Sequence, residues 1–197
     1  MQVIPVGPEA ALVEVGEADA ALGLALWARG RVPATEIVPA ARTVLFDGLA
    51  DPVALAGQLA DWPGEAPTPE GEVVEVPVLY DGPDLATVAE TWGLDGPDQV
   101  AGRHTEQEHL VAFCGFAPGF SYLTGHPALP EVPRRDTPRA RVAPGSVALA
   151  GPFTGIYPSA SPGGWQIVGR TEATLWDPTR EPAALLPPGT RVRFVAA

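Results

Sequence analysis

The sequence predicts an α+β fold in two modules, a ferredoxin-like βαββαβ module over residues 1–80 and a β-barrel or sandwich over 81–197. Three observations carry this. Apolar periodicity switches between strand and helix up to Tyr80, completing one pattern there. Beyond Arg103 the helical signal disappears, and short apolar runs alternate with Gly/Pro clusters. Charge also divides the chain: residues 1–102 hold 17 acids and 3 arginines (net −14), and residues 103–197 hold 7 acids and 9 arginines (net +2). A length of 197 residues suffices for one large domain or two small ones.

In the first module, residues 11–15 (ALVEV) read as a strand and 19–29 (DAALGLALWAR) as a helix with an apolar face that includes Trp27. Two strands follow at 35–39 (TEIVP) and 43–47 (TVLFD). Asp51 and Pro52 then form a cap and first position for a helix over 52–62. Residues 63–71, rich in Pro, Gly and Glu, are the one expected flexible loop of this module, and 72–80 (EVVEVPVLY) closes it as a strand interrupted by Pro77. In the second module Asp84 caps a short helix through Trp92, and 97–103 supplies another turn or two. Residues 109–113, 142–150, 165–168, 173–176 and 191–195 read as short strands.

Composition excludes several chemistries. No apolar run approaches the roughly 18 residues that span a bilayer, and residues 1–9 lack the basic and apolar regions of a signal peptide. The single cysteine, Cys114, forms no internal disulfide, so a soluble, cytoplasmic protein is expected. A net charge of −12 disfavours nucleic acid and anionic membrane as partners. There is no lysine and no asparagine. A Walker lysine, a Schiff base, a biotinyl-lysine and a Cys/His/Asn triad are therefore impossible within this chain.

Candidate functional residues concentrate between His104 and Thr171. The run 115–120 (GFAPGF) sets Phe116, Pro118, Gly119 and Phe120 in a loop of restricted backbone, suited either to lining a ligand pocket or to a tight turn whose phenylalanines fill the barrel. Arg134, Arg135, Arg139 and Arg141 lie within eight residues, a candidate anion site or a solvated, salt-bridged loop. Alternation points Arg139 and Arg141 to one face of an extended segment, the stronger reason to expect a shared ligand. Gly163 and Gly164 form a sharp turn able to expose backbone N–H groups, and Gln166 begins the next strand as a hydrogen-bonding candidate or a ladder residue. His104 is an acid/base candidate or a capped helix end. With His109 five residues away it matches no metal motif, and no metal site is expected. Cys114, in an apolar strand, reads as a buried inert thiol.

Five blocks in fixed order, HT at His104, GFAPGFSYL at 115–123, TPRARVAPGSVALAG at 137–151, TGIYP at 154–158 and SPGGWQIVGRT at 161–171, together resemble a family signature. It is that of the 5-oxoprolinase B-subunit family, also described as allophanate hydrolase subunit 1 or the kinase A inhibitor family, with carboxyltransferase subdomains C and D. The resemblance implies an N-terminal α+β domain followed by a cyclophilin-like β-barrel. It implies a non-autonomous subunit of an amide hydrolase, acting with the A and C subunits to convert 5-oxo-L-proline to L-glutamate with ATP and Mg. The shared blocks contain His104, Phe116, Pro118, Gly119, Phe120, Arg139, Arg141, Gln166 and Arg170. The working assignment gives Arg139 and Arg141 an anion, the Gly119, Gly163 and Gly164 backbones a polarised oxygen, and His104 proton transfer. Two alternatives stay open at this point: an allophanate hydrolase or urea carboxylase-type carboxyltransferase acting on a small amide, and a binding module that inhibits a sensor histidine kinase.

Overall fold

The computed structural model describes residues 1–64 and 72–197, so most of the expected flexible loop, residues 65–71, lies outside the described residues. The protein is mixed α+β and rich in sheet, and the chain divides into two units, Met1–Glu70 and Gly71–Ala197.

The first unit runs β1 (Gln2–Pro5), β2 (Ala10–Glu14), α1 (Ala18–Ala28), β3 (Glu36–Pro39), β4 (Thr43–Asp47) and α2 (Leu55–Gln58). Its strands form one antiparallel sheet in the order β1-β2-β4-β3. Strand alternation explains which face is covered. Ala11 stands opposite Phe46 and Val13 opposite Val44, all fully buried, and α1 supplies Ala21, Leu24, Ala25 and Ala28 to the same core.

Two expectations are corrected here. The strand that flanks β2 at one edge of the sheet is β1, not the strand at 72–80; Pro5 obscures the alternation of residues 2–5, so this strand carried no local signal. The helix expected over 52–62 is a single turn of α-helix between turns. Gly57 sits within it, and three-residue hydrogen bonds dominate, from Ala54 N–H to Asp51 O (3.2 Å), Gly57 to Ala54 (3.1 Å) and Ala60 to Gly57 (3.3 Å). Asp51 does not cap α2, whose N-cap is Ala54; its Oδ1 accepts the Val53 N–H at 2.9 Å in the turn before the helix.

The second unit begins with β5 (Val73–Val78), then α3 (Leu85–Trp92), α4 (Gln99–Thr105), β6 (Glu108–Cys114), β7 (Ser121–His126), β8 (Arg139–Val142), β9 (Ser146–Ala150), β10 (Phe153–Ile156), β11 (Ser161–Gly163), β12 (Gln166–Arg170) and β13 (Arg191–Ala196). Seven strands form one sheet in the order β12-β9-β10-β7-β6-β13-β5, and β8 with β11 makes a two-stranded ribbon. The strand expected to complete the first module therefore opens the second, and the boundary lies at 70/71 rather than 80/81. The reason is packing at long range: β5 pairs in parallel with β13, which buries Val76 and Val78 beside Val192 and Phe194. Pro77 is tolerated because β5 lies at the sheet edge.

The two edges of this sheet meet. Leu79 and Arg170 exchange two backbone hydrogen bonds of 2.9 Å, and the Gly82 N–H reaches Val168 O at 3.1 Å. Inside lies a core of Val111, Leu123, Leu149, Ile156, Val168 and Phe194. β9 is buried on both faces: Val147 and Leu149 point into that core, while Ala148 and Ala150 join an outer cluster with Phe120, Tyr157 and Trp165. Such a strand reads as an unbroken apolar run, and the expected strand over 142–150 in fact breaks at Gly145 (φ 77°), whose N–H donates to Tyr157 O at 2.7 Å. Residues 173–176 contribute only an isolated bridge, Trp176 with Ala184. Among the described residues no helix is long and apolar enough to cross a membrane.

Candidate functional site

The outer cluster builds a cleft. Small side chains at Ala148 and Ala150, and none at Gly155, let aromatic rings settle directly on the sheet. A Cβ at Gly155 would stand 2.9 Å from Phe120 and 3.0 Å from Trp165. Phe120, Tyr122, Tyr157 and Trp165 then pack in tilted and edge-to-face pairs with centroids 5.0–5.5 Å apart, in the range that aromatic quadrupoles favour. Above them opens a cleft of about 240 Å³, walled by Phe116, by Arg134 and Pro138, and by Gly163 and Gly164. Gly163 is required here, because a Cβ would collide with the Tyr157 hydroxyl.

The charge in this cleft comes from Arg134. Its guanidinium is exposed and makes no hydrogen bond or ion pair among the described residues. Burial pushes the Tyr122 and Tyr157 hydroxyls up from the usual phenol range, with the Arg134 charge acting in the opposite direction on both. Both phenols stay protonated at neutral pH. The cleft thus offers flat apolar walls, one unpaired cation and hydroxyl groups, which suits a small planar monoanion.

The other arginines of the cluster are used differently. Asp84 is buried, and its Oδ1 accepts from Arg139 Nη2 at 2.8 Å and Arg135 Nη1 at 3.0 Å. Its Oδ2 accepts the Ile167 N–H at 2.7 Å. Asp84 starts α3 but makes no capping bond there, contrary to its expected role. Arg139, expected to hold a substrate anion, instead satisfies an internal one. Arg141 lies exposed on the same strand, β8, and like Arg139 it is not among the residues that line the cleft. The clamp fastens the segment that carries Arg134 and Pro138, with the Arg135 N–H on Gly164 O (2.8 Å) and Gln166 Nε2 on Pro133 O (3.1 Å) as further ties.

His104, expected to transfer protons, is fully buried and away from the cleft. Nδ1 is 2.7 Å from the Tyr80 hydroxyl, Nε2 is 3.0 Å from Thr154 Oγ1, and the ring stacks on Phe194 at 4.6 Å. Burial, and then the neighbouring His109, holds its imidazole well below the usual histidine range. It is a neutral, hydrogen-bonded core residue. Cys114 is half-buried, and burial raises its thiol, in keeping with the inert reading.

The remaining sequence candidates separate in the same way. Phe116, Phe120, Gly163 and Gly164 line the cleft. Gly119 (φ 82°) is buried, and a Cβ there would stand 2.9 Å from Trp176 Cβ, so it shapes the loop from behind. Pro118 is exposed outside the cleft wall. Gln166 is buried and serves the Pro133 carbonyl, and Arg170 pairs with Asp81 at 2.9 Å on the surface while its backbone closes the sheet. Tyr122, Tyr157, Trp165 and Asp84 were not among the sequence-predicted site residues. Arg134 was visible as a member of the arginine cluster, but choosing it required knowing that Asp84 engages its neighbours.

The model of the carboxyltransferase domain, subdomain C and D, matches residues 1–186. The chain belongs to this carboxyltransferase C/D family. Within it, a protein named as the B subunit of 5-oxoprolinase from Escherichia coli O157:H7 is 49% identical over 134 residues, covering 66% of this chain and 61% of that protein. A protein of the same name from Bacillus subtilis is 44% identical over 126 residues, covering 62% of this chain and 52% of that protein. The matched part thus spans between half and two thirds of these relatives. Among solved structures, TTHA0988 is similar at a TM-score of 0.76 and 35% identity, over 96% of this chain and 40% of that one. The Kluyveromyces lactis urea carboxylase, at a TM-score of 0.68 and 20% identity over 99% of this chain and 21% of that one, shares the fold of this carboxyltransferase C/D chain.

Proposed function

We propose that this carboxyltransferase C/D chain is a subunit of an ATP-dependent 5-oxoprolinase and holds the small substrate in the aromatic cleft. The observation that carries the reading is the 49% identity to a 5-oxoprolinase B subunit. The geometry supports it. 5-Oxo-L-proline is a five-membered lactam with a planar amide face and one carboxylate on a tetrahedral ring carbon, and the cleft presents flat aromatic walls beside one unpaired guanidinium, that of Arg134. A cleft of about 240 Å³ lies below the roughly 300–1,000 Å³ that drug-sized ligands occupy, which favours a substrate of this size. The two units serve as a ferredoxin-like module and a cyclophilin-like barrel, a reading supported by the antiparallel β1-β2-β4-β3 order and by the joined edges of the seven-stranded sheet.

Hydrolysis adds water across the lactam C–N bond, and this chain's part is to bind and orient the ring. The residues of the cleft do not fit MgATP: there is no lysine to hold the phosphates, Arg135 and Arg139 are already paired with Asp84, and among the described residues no carboxylate lines the cleft to meet the Mg. ATP and Mg are therefore assigned to partners, the A and C subunits, and the chain is inactive alone. The test is to combine this chain with candidate A and C subunits, 5-oxoproline and MgATP, omit each protein in turn, and quantify glutamate and ADP together. Coupled production that vanishes without this chain is expected. Undiminished production in its absence refutes the reading.

A further inference from the structure

Phe116 is the one non-glycine residue with a positive φ among the described residues, at 70°. The Ala117 N–H donates to Gly115 O at 2.8 Å, so Phe116 is the central residue of a γ-turn of the strained, positive-φ kind. The turn is held from both sides, by Phe120 N–H to Ala117 O (2.9 Å) and Gly115 N–H to Phe120 O (3.2 Å). A left-handed backbone disfavours any residue with a Cβ, and glycine is the natural occupant. Packing does not explain the phenylalanine. Its ring is 63% exposed, the core beneath is filled by Phe120, and its neighbours are edge contacts to Phe120 (5.3 Å) and Tyr157 (6.4 Å) at the cleft mouth. Strain kept at an exposed aromatic that lines a cleft points to a ligand.

We propose that Phe116 is a strained aromatic lip that lies against the flat face of a small ring carboxylate, the planar amide of a lactam or an aromatic ring, whose charge is held by Arg134. The γ-turn aims the ring over the cleft at the expense of backbone comfort, and the ligand supplies the missing face of contact. The lip deepens the oxoprolinase reading and rests on it only for the identity of the ligand.

The experiment uses the full chain, titrated calorimetrically with 5-oxo-L-proline and with benzoate, a flat anion unrelated to the proposed reaction. Phe116→Ala and Phe116→Gly are expected to lose about tenfold in affinity for both probes, and Phe116→Tyr to retain it. Stability is expected to move differently. Phe116→Gly melts about 2–4 °C above Phe116→Ala, because only glycine relaxes at this φ. A purely structural role makes affinity follow melting temperature, with the glycine variant recovering binding, and that result overturns the lip. Native affinity in both truncated variants overturns it too, as does failure of the native chain to bind either probe. Phe116-dependent binding of benzoate without binding of 5-oxoproline keeps the lip and removes the oxoprolinase reading. Equal binding of 5-oxoproline by every variant keeps that reading and removes the lip.

Discussion

His109 makes the second unit acid-labile, and the size of the effect follows from its surroundings. Its imidazole is fully buried on β6, 4.7 Å from the His104 ring and 4.9 Å from Phe194, and neither ring nitrogen has a hydrogen-bond partner among the described residues. Burial, and then the charge of His126, lowers its pKa from 6.5 to about 4, while the Gln107 backbone, beyond good hydrogen-bond geometry, acts weakly in the opposite direction. The unfolded chain keeps the ordinary value near 6.5. Between these two values the unfolded state binds the extra proton, so stability is fully present above pH 6.5 and is lost as pH falls toward 4. At 1.36 kcal/mol per pKa unit, His109 alone removes about 3 kcal/mol across that window. His104, lowered in the same direction, adds to the loss. The assay is urea denaturation of the native chain and of His109→Leu at pH 7, 6, 5 and 4. We predict that the substitution flattens the acid limb by about 3 kcal/mol, and that it does not destabilise at pH 7 as a large cavity would, because it also removes two unpaired buried nitrogens. Parallel acid limbs in the two proteins would refute the reasoning.

Three further outcomes are expected. Asp84→Asn leaves two guanidiniums facing a neutral amide in a buried setting and destabilises by about 3–5 kcal/mol in the same denaturation assay, whereas Asp81→Asn, which breaks the exposed pair with Arg170, changes stability by less than about 1 kcal/mol. Arg134→Ala leaves the urea midpoint unchanged but weakens 5-oxoproline about tenfold or more in calorimetric titration, since its guanidinium is unpaired in the free protein. Gly163→Ala drives a Cβ into the Tyr157 hydroxyl, and a loss of about 1–3 kcal/mol should accompany a perturbed cleft. A thermal melt indistinguishable from native would show that the ribbon yields instead.

Local patterning made much of the fold legible. Residues 43–47 form β4 with the expected bounds, the helix read at 19–29 is α1, and Gly93 (φ 68°) ends α3 after Trp92. The strands that went unread have specific reasons. β7, β10 and β11 carry glycine or proline beside polar residues, and β8 is four residues with two arginines, so no apolar periodicity marks them. At the site, the GFAPGF loop and the Gly163–Gly164 turn were legible because restricted and permissive backbones stand out in composition.

Sequence alone determined the α+β class, the absence of any lysine chemistry, the family blocks and the neighbourhood of the site. Tertiary structure decided which arginine is free and which histidine is sealed. Asp84 meets Arg139 across 55 positions, and His104 meets Thr154 across 50. Tertiary structure likewise decided that residues 73–78 pair with β13 rather than with the sheet before them. A charge or a hydrogen-bonding group is defined by what lies within a few ångströms of it, and in a sheet assembled from distant strands those neighbours are set by long-range pairing and burial, which local periodicity does not encode.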